Sequence, residues 1–394
     1  MPESILLRRV LLPELECTRT WVRPATGTMH FEVDKVSPLE VCPRCATASS
    51  STYDHRTALI KDAPLRDKCV VLHVRKRRLW CKNCRKPFTE PVGGIRKGAR
   101  CTERYCRNVL WACERFCDLK AVRIAHRCSY GFIYSTLYRH LELQRRKRLY
   151  PWPRAVGIDE HFFRRNRGGF RDFTSVLVDF KNHRLIEAVD GKTKDELEAA
   201  LGYIPGRDNV HWVVLDLCDP FKNFARSFFP NATLVADKFH VLRLLSPAIN
   251  RRRKDITGDR RSLPVRRLLL RNGPSLTPAQ RWALRTWLAS YPELRQLYEL
   301  KEAMHSFYRI RGPDRAAHAL TRLTDHMASS TLPEVATLRG TLLKWRREVL
   351  AYFRCRLTNG PTEGFNNKAK LVKRRAYGYR SFRNYRLRLL NACA

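Results

Sequence analysis

Hydrophobic and polar positions alternate in three short runs between residues 154 and 190, and the pattern predicts three β-strands in a meander. The runs are Ala155–Asp159, Phe173–Phe180 and Arg184–Val189. Turn formers separate them, at Gly168–Gly169 and at Lys181–Asn182–His183. The first run ends in a carboxylate, Asp159, with Glu160 next to it. Downstream the period lengthens to that of a helix, with Leu197, Leu201 and Ile204 on one face. An apolar run over 210–216 then ends in Asp216. A helix opened by Pro220 follows, and a further short strand over 233–240 carries Asp237, with His240 just beyond it.

The order β-β-β-α-β-α-β-α predicts an α/β catalytic domain of ribonuclease H-like arrangement, its first and fourth strands side by side. Asp159 and Asp216 should therefore approach each other. Residues 241–355 carry no strand pattern. Leu294, Leu297, Leu300, Met304 and Phe307 fall on one helical face, and Leu342, Trp345, Val349 and Tyr352 on another, which predicts an all-helical insertion. Within it Arg251-Arg252-Arg253-Lys254 is a candidate phosphate contact. After Thr358-Asn359-Gly360-Pro361 a helix should place Glu363, Asn366 and Lys370 on one side. Lys368, Lys370, Lys373, Arg374 and Arg375 then form a basic track with Tyr377 and Tyr379.

Towards the N-terminus, residues 1–40 read as strands and turns. Val70–Trp80 alternates apolar and basic residues and feeds the second of two CxxC pairs, Cys42/Cys45 and Cys81/Cys84. Two such knuckles supply four thiolates to one tetrahedral Zn²⁺, which predicts a zinc ribbon-like module stabilised by a structural metal. Cys69 and His73 lie between the knuckles and are expected to be core or surface residues. Tyr105, Val109, Ala112 and Phe116 share a helical face. Residues 121–143 have the shape of a helix-turn-helix, with Cys128–Gly131 as the turn and Ile133, Leu137 and Leu141 buried. That leaves Tyr134, Ser135, Tyr138 and Arg139 outward to meet DNA. An ordinary helical hairpin has the same pattern; the surrounding charge favours DNA. Cys113 and Cys117, one helical turn apart, are expected core thiols. These elements divide the chain into a zinc module (1–92), a helix-turn-helix domain (93–150), the first part of the catalytic core (151–245), the helical insertion (246–355) and the C-terminal core helix (356–394).

Charge sharpens the picture. The 394 residues carry a formal net charge of +40, and a polyanionic partner, nucleic acid, is the simplest counterweight to that self-repulsion. No apolar run reaches the ~18–20 residues of a membrane span, and the N-terminus lacks the form of a secretory signal. A cytoplasmic, nucleoid-associated bacterial protein is expected, its 14 cysteines thiols or metal ligands rather than disulfides.

The double CxxC, the helix-turn-helix pattern, GIDEHFF (157–163), VVLDLCDPF (213–221), FPNATLVADKFHVL (229–242) and NGPTEGFNNKAK (359–370), in that order, resemble the ISL3 family of insertion-sequence transposases. The resemblance implies a DDE transposase that binds the terminal inverted repeats of its element and performs DNA cleavage and strand transfer. It implies double-stranded DNA, both repeat and target, as partner and at least a homodimer. By motif, Asp159, Asp216 and Glu363 would be the catalytic triad holding two Mg²⁺ (or Mn²⁺) ions. Asp237 stands as an alternative or additional ligand, with His240 assisting. The run Leu215-Asp216-Leu217-Cys218-Asp219 leaves a second acid close to Asp216. A catalytically inactive, domesticated DNA-binding regulator on the same scaffold is the alternative.

Overall fold

The computed structural model describes residues 12–115, 118–165, 171–258 and 264–394. Two compact units divide between Leu143 and Gln144.

In the first unit the strands are β1 (Leu15–Arg23), β2 (Thr28–Lys35), β3 (Glu40–Val41), β4 (Ala48–Ser49), β5 (Thr52–Leu65), β6 (Lys68–Cys81) and β7 (Lys86–Thr89). A sheet of order β1-β2-β6-β5, with β7 beside β6, carries the core, while β3 and β4 pair separately. The alternation over 70–74 has its expected cause. Val70, Leu72 and Val74 point inward against Phe31, Val33 and Ile60, and the basic residues between 75 and 78 stay at least partly exposed. Three helices follow: α1 (Glu103–Arg115), α2 (Leu119–Ala125) and α3 (Tyr130–Lys147). Thr102 and Arg104 both bond the buried Asp62, tying the start of α1 to β5. Tyr105, Val109, Ala112 and Cys113 are buried as expected; Phe116 and Cys117 lie outside the described residues. The turn between α2 and α3 is shorter than expected, because Tyr130 and Gly131 already belong to α3. Asp118 caps α2 by accepting from the Ala121 N–H.

The second unit is built on a sheet of order β10-β9-β8-β11-β12. Its strands are β8 (Ala155–Arg165), β9 (Arg171–Asp179), β10 (Arg184–Asp190), β11 (Trp212–Leu215) and β12 (Thr233–Ala236). The first three pair antiparallel; β8, β11 and β12 run parallel. The predicted Gly168–Gly169 turn lies outside the described residues. Strand β8 runs six residues beyond Asp159, so this carboxylate stands mid-strand rather than at a strand end.

Helices cover both faces: α4 (Lys194–Leu201), α5 (Asp219–Phe228), α6 (Lys238–Arg243), α7 (Ser246–Thr257), α8 (Pro264–Leu270), α9 (Pro278–Ala289), α10 (Pro292–Phe307), α11 (Pro313–Ala328), α12 (Pro333–Lys344), α13 (Arg346–Cys355), α14 (Gly360–Arg375) and α15 (Phe382–Ala392). Strand β9 shows how one strand serves two cores: Leu177 packs into the cluster with α4, α5 and the helices of 246–355, and Val176 and Val178 into the one with α14 and α15. Residues 241–355 contain no strand among the described residues, and both expected apolar stripes are buried. The second stripe is carried by two helices, α12 and α13, that meet at Trp345. The basic run at 251–254 departs from expectation. Arg253 is fully buried and donates to Asn250, Thr257 and the Gly258 carbonyl, and Arg252 pairs with Glu293 and Glu334. Two of its four cations thus hold the insertion together. Among the described residues no helix is long and apolar enough to cross a membrane.

Candidate active site

Parallel pairing brings the acids together. The register aligns Ile158 on β8 with Leu215 on β11, and Leu215 with Ala236 on β12. The next residue of each strand is an aspartate, so Asp159, Asp216 and Asp237 stand at one level on three adjacent strands. One ligand atom each from Asp159, Asp216 and His240 lies within 4.8 Å of the others. Asp159 is 9% exposed and the Asp216 side chain 13%.

Asp237 is different: its side chain is sealed and both oxygens are occupied. Oδ2 accepts the His240 backbone N–H at 3.1 Å, capping α6, and faces His240 Nδ1 at 3.0 Å. Oδ1 accepts the Asn359 N–H at 2.8 Å. His240 Nδ1 also lies 2.9 Å from Asp216 Oδ1, bridging the two carboxylates.

These contacts set the charges. Burial, and then the adjacent Asp216 carboxylate, push Asp159 up to about 8. Asp216 and Asp237 hold the His240 imidazolium charged, to about 10. For Asp237 burial pushes upward, but hydrogen bonds from His240 and the Asn359 N–H outweigh it and keep the carboxyl below its ordinary value. Protons thus hold neighbouring carboxylates together here. An oxygen-seeking divalent cation would supply the same positive charge, so the donor set fits one.

Asn359 and the helix it opens, α14, clamp this cluster. The Asn359 amide donates to the Ile158 carbonyl at 2.9 Å and to Asp216 at 3.2 Å, and its own oxygen accepts from Thr362 at 2.8 Å. Two turns along α14, the Asn366 amide donates to Asp159 Oδ2 at 2.7 Å. So close an approach of helix to strand needs Gly157, where a Cβ would stand 2.4 Å from Thr362 Oγ1 and from the Phe180 ring. Glu363 lies on the same ridge between the two asparagines, exposed, outside the 4.8 Å group of Asp159, Asp216 and His240. Glu160 is turned to Lys192, 3.3 Å away, and Asp219 to Lys344 at 2.5 Å, which leaves Asp216 as the acid of its loop beside Asp159.

Sequence reasoning did not single out Gly157, His161, Asn359, Thr362 or Tyr385. His161 alone carried a signal: it is two residues from Asp159 and therefore on the same side of the strand. It is 5% exposed, with Nδ1 3.1 Å from Asn366 Oδ1 and Nε2 2.6 Å from the Tyr385 hydroxyl. Burial, with Lys373 nearby, lowers it to about 4, leaving the ring neutral.

In the first unit Cys42, Cys45, Cys81 and Cys84 converge as a second group of possible metal ligands, Cys45 and Cys81 with sulfurs 3.5 Å apart. The residues after each pair, Ala46 and Arg85, take positive φ, which closes the two knuckles. The long spacing between the pairs is taken up by the β5–β6 hairpin, so no irregular loop is needed. Cys69 stays apart from this group, and His73 packs instead with Trp21 and His30. Four thiols in a tight group fit a tetrahedral thiolate site.

Of the candidate DNA contacts, Tyr134, Ser135 and Arg139 are exposed and Tyr138 is half-buried. The rings of Tyr130, Tyr134 and Tyr138 stack along α3 at 6.3 and 5.8 Å. On α14, Lys368, Lys370, Arg374 and Arg375 are exposed. Lys373 is not: it donates to the Phe162 and Phe163 carbonyls and lies over the Phe162 ring.

Comparison with known proteins finds matches for both the carboxylate-bearing region and the four-cysteine region. Residues 156–389 match a family described as transposase, the ISL3 group of DDE enzymes, and residues 38–84 match the zinc-finger of transposases of IS204, IS1001, IS1096 and IS1165. The chain is 24% identical over 372 residues to the transposase for insertion sequence element IS1001 of Bordetella parapertussis, covering 91% of this chain and 90% of that one. It is 26% identical to the transposase for IS1557 of Mycobacterium tuberculosis, covering 75% and 72%. The family match spans every residue of the carboxylate cluster and of the helix that clamps it, and the chain belongs to the ISL3 family of DDE transposases.

Proposed function

We propose that this transposase binds the terminal inverted repeats of its element and carries out metal-dependent cleavage and strand transfer at Asp159, Asp216 and Glu363. The observation that carries the assignment is the pairing of Asp159 with Asp216 across parallel strands, both anchored by asparagines of the helix that bears Glu363. The sheet order, with the fourth strand beside the first, supports a ribonuclease H-like core. Two Mg²⁺ (or Mn²⁺) ions, when bound, supply positive charge at the attacking and leaving oxygens of an in-line displacement at phosphorus. Asp216 is the second ligand, because its side chain keeps some exposure whereas Asp237 is sealed and each of its oxygens already accepts a hydrogen bond. Asp237 and His240 position Asp216.

Lys368, Lys370, Arg374 and Arg375 flank Glu363 on one helix and suit the phosphate backbone. Helices α2 and α3 act as a helix-turn-helix, with Tyr134, Ser135, Tyr138 and Arg139 facing the repeat. The four cysteines hold a structural Zn²⁺, and action on two ends calls for at least a dimer. End cleavage with Mg²⁺ and with EDTA, on a duplex carrying the repeat that flanks the gene, tests the proposal. Wild type should cleave only with metal, and Asp159→Asn should bind the duplex without cutting it. Cleavage by Asp159→Asn would overturn the assignment.

A further inference from the structure

We infer that Tyr385, His161 and Asn366 form a one-directional hydrogen-bond chain that positions Asp159 for its metal. The inference rests on the site assignment above and goes beyond it, since none of the three is a ligand there. The direction follows from what each atom can do. A metal-binding carboxylate only accepts, so the group Asn366 presents to Asp159 Oδ2, 2.7 Å away, is its NH₂. The amide oxygen is then left facing His161 Nδ1 at 3.1 Å, and that nitrogen must carry the proton. A neutral imidazole with Nδ1–H accepts at Nε2, where the Tyr385 hydroxyl donates across 2.6 Å. Every donor thus meets an acceptor, from Tyr385 through His161 and Asn366 to Asp159.

The chain also joins β8 to two helices some two hundred residues away in sequence, α14 and α15. Tyr385 is fully buried, packed against Phe163, Tyr379 and Phe382, so its hydroxyl is a fixed starting point. Outer partners of this kind orient a ligand, and their loss typically weakens metal affinity about 10–100-fold. All three are positioning residues, with no contact to substrate required.

The test reads the tautomer and the metal requirement. In Mg²⁺-loaded protein with ¹⁵N-labelled histidine, the His161 ring, assigned by loss of its signals in His161→Gln, should show the Nδ1–H form. An Nε2–H ring in wild type would reverse the chain and overturn the proposal. Tyr385→Phe keeps the ring packing and removes only the donor. It should mix the His161 tautomers and raise the Mg²⁺ concentration for half-maximal end cleavage about tenfold, with repeat affinity unchanged. Wild-type Mg²⁺ dependence in both Tyr385→Phe and His161→Gln would also overturn it. Failure of the site assignment looks different: Asp159→Asn would then cleave, whatever these variants did.

Discussion

The backbone N–H of Asn359 donates to Asp237 Oδ1 at 2.8 Å while its side-chain amide reaches Asp216 at 3.2 Å, so one residue treats two neighbouring acids differently. Asp237 is consumed by the fold; Asp216 keeps coordination capacity. Asp216→Asn should therefore abolish end cleavage without lowering the melting temperature. Asp237→Asn should cost about 1–3 kcal/mol of stability, the usual cost of disturbing a buried, hydrogen-bonded polar group. Thermal unfolding beside single-turnover cleavage separates the two, and a stable but inactive Asp237→Asn would exchange their roles.

Gly157→Ala should push the start of α14 off the sheet. The added methyl would meet Thr362 Oγ1 and the Phe180 ring at 2.4 Å, inside contact distance. Overpacking of this kind costs about 1–3 kcal/mol. Because Asn359 and Asn366 ride on the displaced helix, cleavage should fall further than the stability loss alone explains. Melting temperature and cleavage rate, measured on one preparation, check both.

The strands, their order and the pairing of Asp159 with Asp216 were legible because each apolar run ended in turn formers and the crossovers carried helical periodicity. The clamp was not. Asn359 and Asn366 lie some two hundred residues from the Ile158 carbonyl and the Asp159 carboxylate they bond, and no local pattern encodes a contact across that distance. His161 lay beyond the expected strand, which ended at Asp159, and alternation gives a residue's face but not its partners. Arg253 was misread for the converse reason: a run of cations suggests solvent, and only packing shows that one of them is buried. The exposed Lys and Arg of α14 followed from helical spacing, whereas Lys373 is drawn back by backbone carbonyls that no side-chain pattern reveals.

The four-cysteine group should hold one Zn²⁺ per chain, and removing it should unfold the knuckles. Their own apolar core is small, with Leu79 and Phe88 the buried non-cysteine residues, so the metal contributes much of their folding energy. Elemental analysis should find one zinc in wild type and none in Cys42→Ser. Chelation should lower repeat affinity, and Zn²⁺ should restore it. An unaltered melting profile on full zinc loss would contradict this.

Acid should weaken the sheet edge at Glu187. Burial pushes this carboxyl up, but Arg386, Arg145 and Tyr203 outweigh that and hold it below the ordinary 4.5. Arg386 Nε is 2.7 Å and Arg145 3.0 Å from its oxygens. With the folded value depressed, the stabilisation is fully present above about pH 4.5 and is lost as pH falls through the folded value. Glu187→Gln should cost about 3–5 kcal/mol at pH 7, leaving two cations without their partner. The gap between wild type and Glu187→Gln should narrow below pH 4.5. Melting curves from pH 7 to pH 3 test this, and a constant gap would refute it.

Gly364 sits inside α14, next to Glu363, where a glycine costs roughly 0.5–1 kcal/mol relative to alanine. Its φ is not positive and, among the described residues, a Cβ there would meet nothing within 4 Å, so those residues give no reason for the missing side chain. Under the proposed function, close approach of a phosphate backbone to Glu363 would supply one. Gly364→Ala should therefore raise the melting temperature while lowering end cleavage and weakening DNA binding. The opposite sign of the two effects is the signature, because damage to the fold would lower both. If Gly364→Ala is more stable and cleaves at the wild-type rate, no DNA passes against this turn of the helix.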